Sequence, residues 1–208
     1  MKIKLKVCGM RSVPNISEVA LLQPDYMGFI FYEKSKRFVG DDFAVSESFP
    51  SSIKRVGVFV NEKTSTILNQ VAKYKLDFVQ LHGDETSENC KVLKSRAGVI
   101  KVFSIGSEFD FDLTKPFQPY SDFFLFDTQT EGYGGSGNSF DWSLLKKYDQ
   151  RTPFFLSGGL SPDNARDIRR LKGMNLHAID VNSGAEVAPG LKDVEKIRSI
   201  KNVLNSIS

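Results

Sequence analysis

Eight short apolar runs recur along the chain, and several are apolar on consecutive rather than alternate positions, as in GFIF (Gly28–Phe31), FFLF (Phe123–Phe126) and PFFL (Pro153–Leu156). A strand with apolar side chains on both faces is buried on both, which implies a parallel sheet with helices outside it. The runs predict strands near Ile3–Val7, Tyr26–Phe31, Val56–Val60, Phe78–Leu81, Val99–Phe103, Phe123–Phe126, Phe154–Leu156 and Leu176–Val181. Between them lie amphipathic segments. Ile67, Leu68, Val71 and Tyr74 share one helical face, and Val194, Ile197, Ile200, Val203 and Leu204 share another. Ser161-Pro162-Asp163 reads as a helix start with Pro at the first position, and Gly173 as the stop after Leu171.

Eight strands alternating with about eight helices, without a linker, predict one α/β domain over residues 1–208. Two architectures remain: a closed (β/α)8 TIM barrel and an open doubly wound sheet. The open sheet is favoured by a glycine fingerprint after the first strand, and that turn here is Cys8-Gly9-Met10-Arg11. The barrel is preferred because polar residues stand at the ends of many different strands. They are Cys8-Gly9, Tyr32 to Arg37, Asn61, Gln80 with His82 and Gly83, Asp127, Ser157-Gly158-Gly159, and Asp180 with Asn182-Ser183-Gly184. In a barrel these converge on the C-terminal mouth, where such folds carry their chemistry.

The stretch Asp122–Trp142 condenses that logic: a buried strand, Asp127 at its tip, the glycine loop Gly132–Gly137, then Ser139 and Asp141 opening a helix at Trp142. A carboxyl group at that tip is poorly placed to stabilise a core and well placed to meet a ligand. Cys8 ends the first strand beside a glycine, where a thiol can serve as base or nucleophile if positive charge favours its thiolate. Cys90, in the helical SENCKVLK, reads as a small buried hydrophobe. Strands one and six are three steps apart around a ring of eight, so Cys8 and Asp127 are expected to face each other across the mouth. One acid and one base on opposite sides suit proton relocation along a substrate's carbon chain. Gly158-Gly159 and Ser183-Gly184, after strands seven and eight, let backbone N–H groups approach a phosphate. Arg37 is a planar, bidentate partner for a carboxylate. His82 and His177 are the only histidines, and with Cys8 and Asp127 they match no metal-ligand spacing, so no metal is expected.

Composition narrows the partners. A net charge of +3 suits a small anionic ligand and not nucleic acid, and no apolar run approaches the length of a membrane span. Two cysteines in different settings, without an apolar leader, point to the cytoplasm.

These stretches, KVCGM, GFIFYEKSKR, VGVFVNE, VQLHGDE, LFDTQTEGYGGSG, LSGGLSPDN and DVNSGAEVAPGLKD, resemble those of the phosphoribosylanthranilate isomerase family over almost the whole chain. The resemblance implies a cofactor-free Amadori rearrangement of a phosphosugar in tryptophan biosynthesis, by a monomer or homodimer. It implies Asp127 as general acid and Cys8 as general base. Arg37 would hold the anthranilate carboxylate, and Gln80, His82, Gly158, Gly159, Asp180, Ser183 and Gly184 would line the substrate site. The chain departs from the family at Met10 and Arg11-Ser12 after the cysteine, and at Asn182, where Ser or Thr is commoner. A related reading is the aminoaldose isomerase of histidine biosynthesis, whose substrate carries phosphate at both ends. A third is a barrel kept as a binding scaffold.

Overall fold

The computed structural model describes residues 2–46, 48–128 and 141–207. The glycine loop Gly132–Gly137 and Ser139 lie outside them. Eight parallel strands form a closed barrel: β1 (Lys4–Val7), β2 (Tyr26–Ile30), β3 (Lys54–Phe59), β4 (Phe78–Leu81), β5 (Gly98–Ile105), β6 (Phe123–Thr128), β7 (Phe154–Leu156) and β8 (Leu176–Val181). Closure is made where β8 pairs with β1, Lys6 standing opposite Asp180.

The described residues hold about the expected number of helical segments, but half of them are 3-10 rather than α. Among the described residues there are four α-helices: α1 (Val13–Leu21), α2 (Thr64–Tyr74), α3 (Ser87–Lys94) and α4 (Val194–Ile207). The connections after β5, β6 and β7 carry 3-10 helices instead, at Phe111–Tyr120, Trp142–Lys147 and Ala165–Leu171. The described residues between β2 and β3 form no helix at all. Pro116 and Pro119 lie inside Phe111–Tyr120, where missing N–H groups rule out a continuous i→i−4 ladder. Large rings cover the sheet there. Phe111 packs edge-on to Phe126 at 5.7 Å, and Tyr148 packs on Phe126 at 5.0 Å. The sequence also missed a two-stranded antiparallel hairpin after the last barrel strand, β9 (Glu186–Ala188) with β10 (Leu191–Lys192). Gly190, with φ of +82°, sits in its turn.

Strand alternation sorts side chains into two cores. Outward-facing Val7, Phe29, Leu81 and Phe126 are buried in the layer between the strands and their connections. Inside the barrel, Tyr26, Phe78, Phe123 and Phe155 plug the N-terminal end, joined by His177, whose Nε2 lies 2.7 Å from the Tyr26 hydroxyl. This packed floor leaves only the C-terminal end open. Cys90 is fully buried on α3. No helix among the described residues is long and apolar enough to cross a membrane.

Candidate active site

A cavity of about 380 Å³ opens at the C-terminal ends of the barrel strands. Cys8, Arg37, Gln80, His82, Asp127, Gly158, Gly159, Asp180, Ser183 and Gly184 all line it. Not every polar residue at a strand end does. Asn61 and Gly83 instead join the loops after β3 and β4 through Glu85, which accepts from the Asn61 N–H (2.8 Å) and the Gly83 N–H (3.0 Å). Lys101 completes this staple, donating to Glu85 (3.0 Å) and to the Gly83 carbonyl (2.6 Å).

Asp127 lies within β6, opposite Ser104 of β5, one residue before the strand ends rather than just beyond it. It is 9% exposed. Burial pushes its carboxyl up to about 6, partly opposed by the Thr128 N–H, which donates to Oδ1 at 2.9 Å. His82 Nε2 stands 3.6 Å from Asp127 Oδ2, beyond hydrogen-bonding distance. Burial, and then the charges of Lys101 and Lys6, bring His82 down to about 4, so its ring is neutral at pH 7. The contact is therefore no ion pair at neutral pH. It leaves Asp127 without a cation at hydrogen-bond distance among the described residues.

Cys8 follows β1, its N–H bonded to the Val181 carbonyl at 2.9 Å. It is 3% exposed. Burial has the largest effect and leaves its thiol above the ordinary range; Lys6 and Lys192 pull it down, and Asp180 pushes it further up. Lys6 is wholly buried, with Nζ 2.7 Å from Asp180 Oδ2. Two buried acceptors at the cavity, Asp180 Oδ1 and Gln80 Oε1, have no donor among the described residues.

Arg37 is brought in from the segment after β2 and held by a residue the sequence reading missed. Its Nε donates to Glu186 Oε1 (2.9 Å) and its Nη2 to Oε2 (2.7 Å), a two-pronged grip. Lys192 Nζ donates to Glu186 Oε1 (2.6 Å) and to Asn182 Oδ1 (2.8 Å). Burial works to raise the Glu186 carboxyl, but Arg37, Lys192 and the Gly190 N–H together hold it below the ordinary range. The sole local signal for this cluster was the Pro189-Gly190 turn, which marks a hairpin without saying what it carries.

The glycine loops after β7 and β8 meet closely. Gly158 has φ of +90°, and a Cβ there would lie 2.1 Å from Thr128 Oγ1. A Cβ on Gly184 would lie 2.0 Å from the Leu160 carbonyl oxygen. Side chains are excluded from both, so backbone forms this wall of the cavity. The arrangement presents a thiol and a carboxyl group across one small chamber, a guanidinium at its rim and two glycine turns beside it.

The chain matches the model of the N-(5'-phosphoribosyl)anthranilate (PRA) isomerase family over residues 5–203. It is 47% identical to an N-(5'-phosphoribosyl)anthranilate isomerase of Parabacteroides distasonis, covering 97% of this chain and 93% of that one. The crystal structure of phosphoribosyl anthranilate isomerase from Thermotoga maritima superimposes with a TM-score of 0.88 at 36% identity, over 98% of this chain and 99% of that one. A further isomerase structure, in complex with reduced 1-(o-carboxyphenylamino)-1-deoxyribulose 5-phosphate, gives a TM-score of 0.81 at 33% identity, over 98% of this chain and 99% of that one. In sequence and in fold, along nearly its whole length, the chain belongs to the phosphoribosylanthranilate isomerase family.

Proposed function

We propose that the chain converts N-(5-phosphoribosyl)anthranilate into 1-(2-carboxyphenylamino)-1-deoxyribulose 5-phosphate by an Amadori rearrangement in cytoplasmic tryptophan biosynthesis. The observation that carries this reading is that Cys8 from the end of β1 and Asp127 from β6 line one closed-ended cavity. Asp127, raised to about 6, keeps roughly a tenth of its carboxyl groups protonated at pH 7. That proton goes to the furanose ring oxygen. The bond from that oxygen to C1 breaks as the anthranilate nitrogen forms a Schiff base with C1. The Cys8 thiolate then takes the C2 proton, leaving an enolamine. Return of a proton to C1 and loss of one from the C2 hydroxyl give the ketone, so atoms and electrons balance without a cofactor.

The remaining wall supports the same substrate. Gly158-Gly159 and Ser183-Gly184 would cradle the phosphate through backbone N–H groups. Arg37 would meet the anthranilate carboxylate with the guanidinium edge that Glu186 leaves free. Asp180 Oδ1 and Gln80 Oε1, still lacking donors among the described residues, suit sugar hydroxyls. The test follows the fluorescence of phosphoribosylanthranilate with purified protein, in the presence of a chelator. Turnover is expected, and Cys8→Ala and Asp127→Asn are expected to abolish most of it while remaining folded. Activity restricted to the doubly phosphorylated aminoaldose of histidine biosynthesis would overturn the substrate, and activity lost to the chelator would overturn the metal-free mechanism.

A further inference from the structure

We infer that Lys6 is a positioning residue for the proposed reaction: its ammonium, pinned by Asp180 inside the barrel, makes the thiolate of the buried Cys8 easier to form. The inference rests on Cys8 being the base. Lys6 and Cys8 are two residues apart on one extended segment, so both side chains point into the barrel. Lys6 stands opposite Asp180 in the strand register, and its Nζ is 2.7 Å from Asp180 Oδ2. Besides Asp180, Cys8 is the group whose charge acts on the Lys6 ammonium.

A buried ion pair is a poor device for stability, because desolvating two charges offsets most of their attraction. The same molecule shows what a purely structural pair looks like. Lys101 and Glu85 lie outside the barrel, and both are used up in joining loops: Lys101 also donates to the Leu81 and Gly83 carbonyls, and Glu85 also accepts from two backbone N–H groups. Lys6 joins no loops. Asp180, its partner, keeps one oxygen without a donor among the described residues. The pair lies beneath the reacting chamber and points its spare bonding capacity at it.

Four charged groups act on the sulfur: Lys6 from its own strand segment, Asp180 from β8, Lys192 from β10 and Arg37 from the segment after β2. Lys192 and Arg37 are both engaged by Glu186. Lys6 is the cation with the largest effect on the thiol. The same charge helps keep His82 neutral and opposes the effect of burial at Asp127. One ammonium therefore acts on both ends of the proton relay.

The test uses Lys6→Met in the full chain, with Cys90→Ser in both variant and reference so that Cys8 is the only thiol. Iodoacetamide alkylation is followed against pH. The midpoint is expected to move up by about one unit or more, equivalent to about tenfold less thiolate at neutral pH. Turnover should show kcat reduced about tenfold at neutral pH, KM little changed, and recovery at alkaline pH. An unchanged alkylation midpoint, or a loss of kcat that high pH does not restore, would overturn the inference. If Lys6→Met does not fold, the otherwise native chain labelled with carbon-13 at the lysine ε-carbons decides the matter. The Lys6 resonance should step as Cys8 titrates and lose that step in Cys8→Ser; the absence of any step overturns the inference. Alkylation and resonance report on the thiol alone, so lack of turnover in the native chain would sink the proposed function without deciding the role of Lys6.

Discussion

The two walls of the cavity treat charge in opposite ways. On the β1 and β8 side, and on the hairpin beyond it, buried charges stand in opposite pairs within hydrogen-bond distance: Lys6 with Asp180, Arg37 and Lys192 with Glu186. On the β4 and β6 side, Asp127 has a backbone N–H and a neutral imidazole near it, and no cation at that distance among the described residues. Burial acts on both walls. At Cys8 burial still holds the thiol above its ordinary range, but the ammonium groups of Lys6 and Lys192 offset part of that, whereas among the described residues no cation within hydrogen-bond distance offsets it at Asp127. In the proposed mechanism the base would be helped by nearby countercharges and the acid by their absence.

The strongest attempt to break this contrast removes each reacting group. Cys8→Ala and Asp127→Asn should each lower kcat by about 10²-fold or more. A folded variant that turns over near the native rate would remove that residue from the mechanism.

Stability should separate the walls next. The Asp127 carboxyl lies higher in the folded chain, at about 6, than its ordinary 3.8, so the fold prefers it protonated. The cost of ionising it is absent below about pH 4, grows between about 4 and 6, and is complete above that. Asp127→Asn should therefore raise unfolding free energy at pH 7 by about 3 kcal/mol, an advantage that disappears near pH 4. Denaturant titration at the two pH values reads this directly. A loss of stability at pH 7 would mean the carboxylate is better solvated than its burial implies.

Glu186→Gln probes the other wall. It weakens the grip on Arg37 and strips Lys192 of its countercharge, so the guanidinium edge proposed to meet the substrate carboxylate loses its orientation. KM for phosphoribosylanthranilate should rise about tenfold with a smaller change in kcat, in line with the loss of a charge-assisted bond of about 1.5 kcal/mol or more. A fall in kcat at unchanged KM would place Glu186 nearer the proton relay than to substrate binding. The smallest expected effect is a profile: kcat/KM against pH should bend near 6, climbing below it as more Cys8 ionises and levelling above it as Asp127 loses its proton. A profile without that bend would break the assignment of Asp127 as the acid.

Some of this was legible in the chain and some was not. The strands were legible because consecutive apolar residues such as those of Phe123–Phe126 are a local signal. The type of the helix after β7 was not legible, because apolar spacing of three, as at Ala165, Ile168 and Leu171, fits a 3-10 helix as well as an α-helix. Cys8, Arg37 and Asp127 stood out as polar groups where a strand stops. Glu186 and Lys192 did not, since the hairpin that carries them has no strong periodicity. Asn61 and Gly83 looked like mouth residues and turned out to hold loops together.

The sequence by itself determined the layering of this protein, parallel strands inside and helical cover outside, and which strand ends carry reactive groups. Both follow from neighbours a few residues apart. Only the tertiary structure decided how those groups are charged. Lys6 meets Asp180 across 174 residues of chain and Arg37 meets Glu186 across 149. Burial and countercharge act through space, and barrel closure is what brings such distant partners within reach.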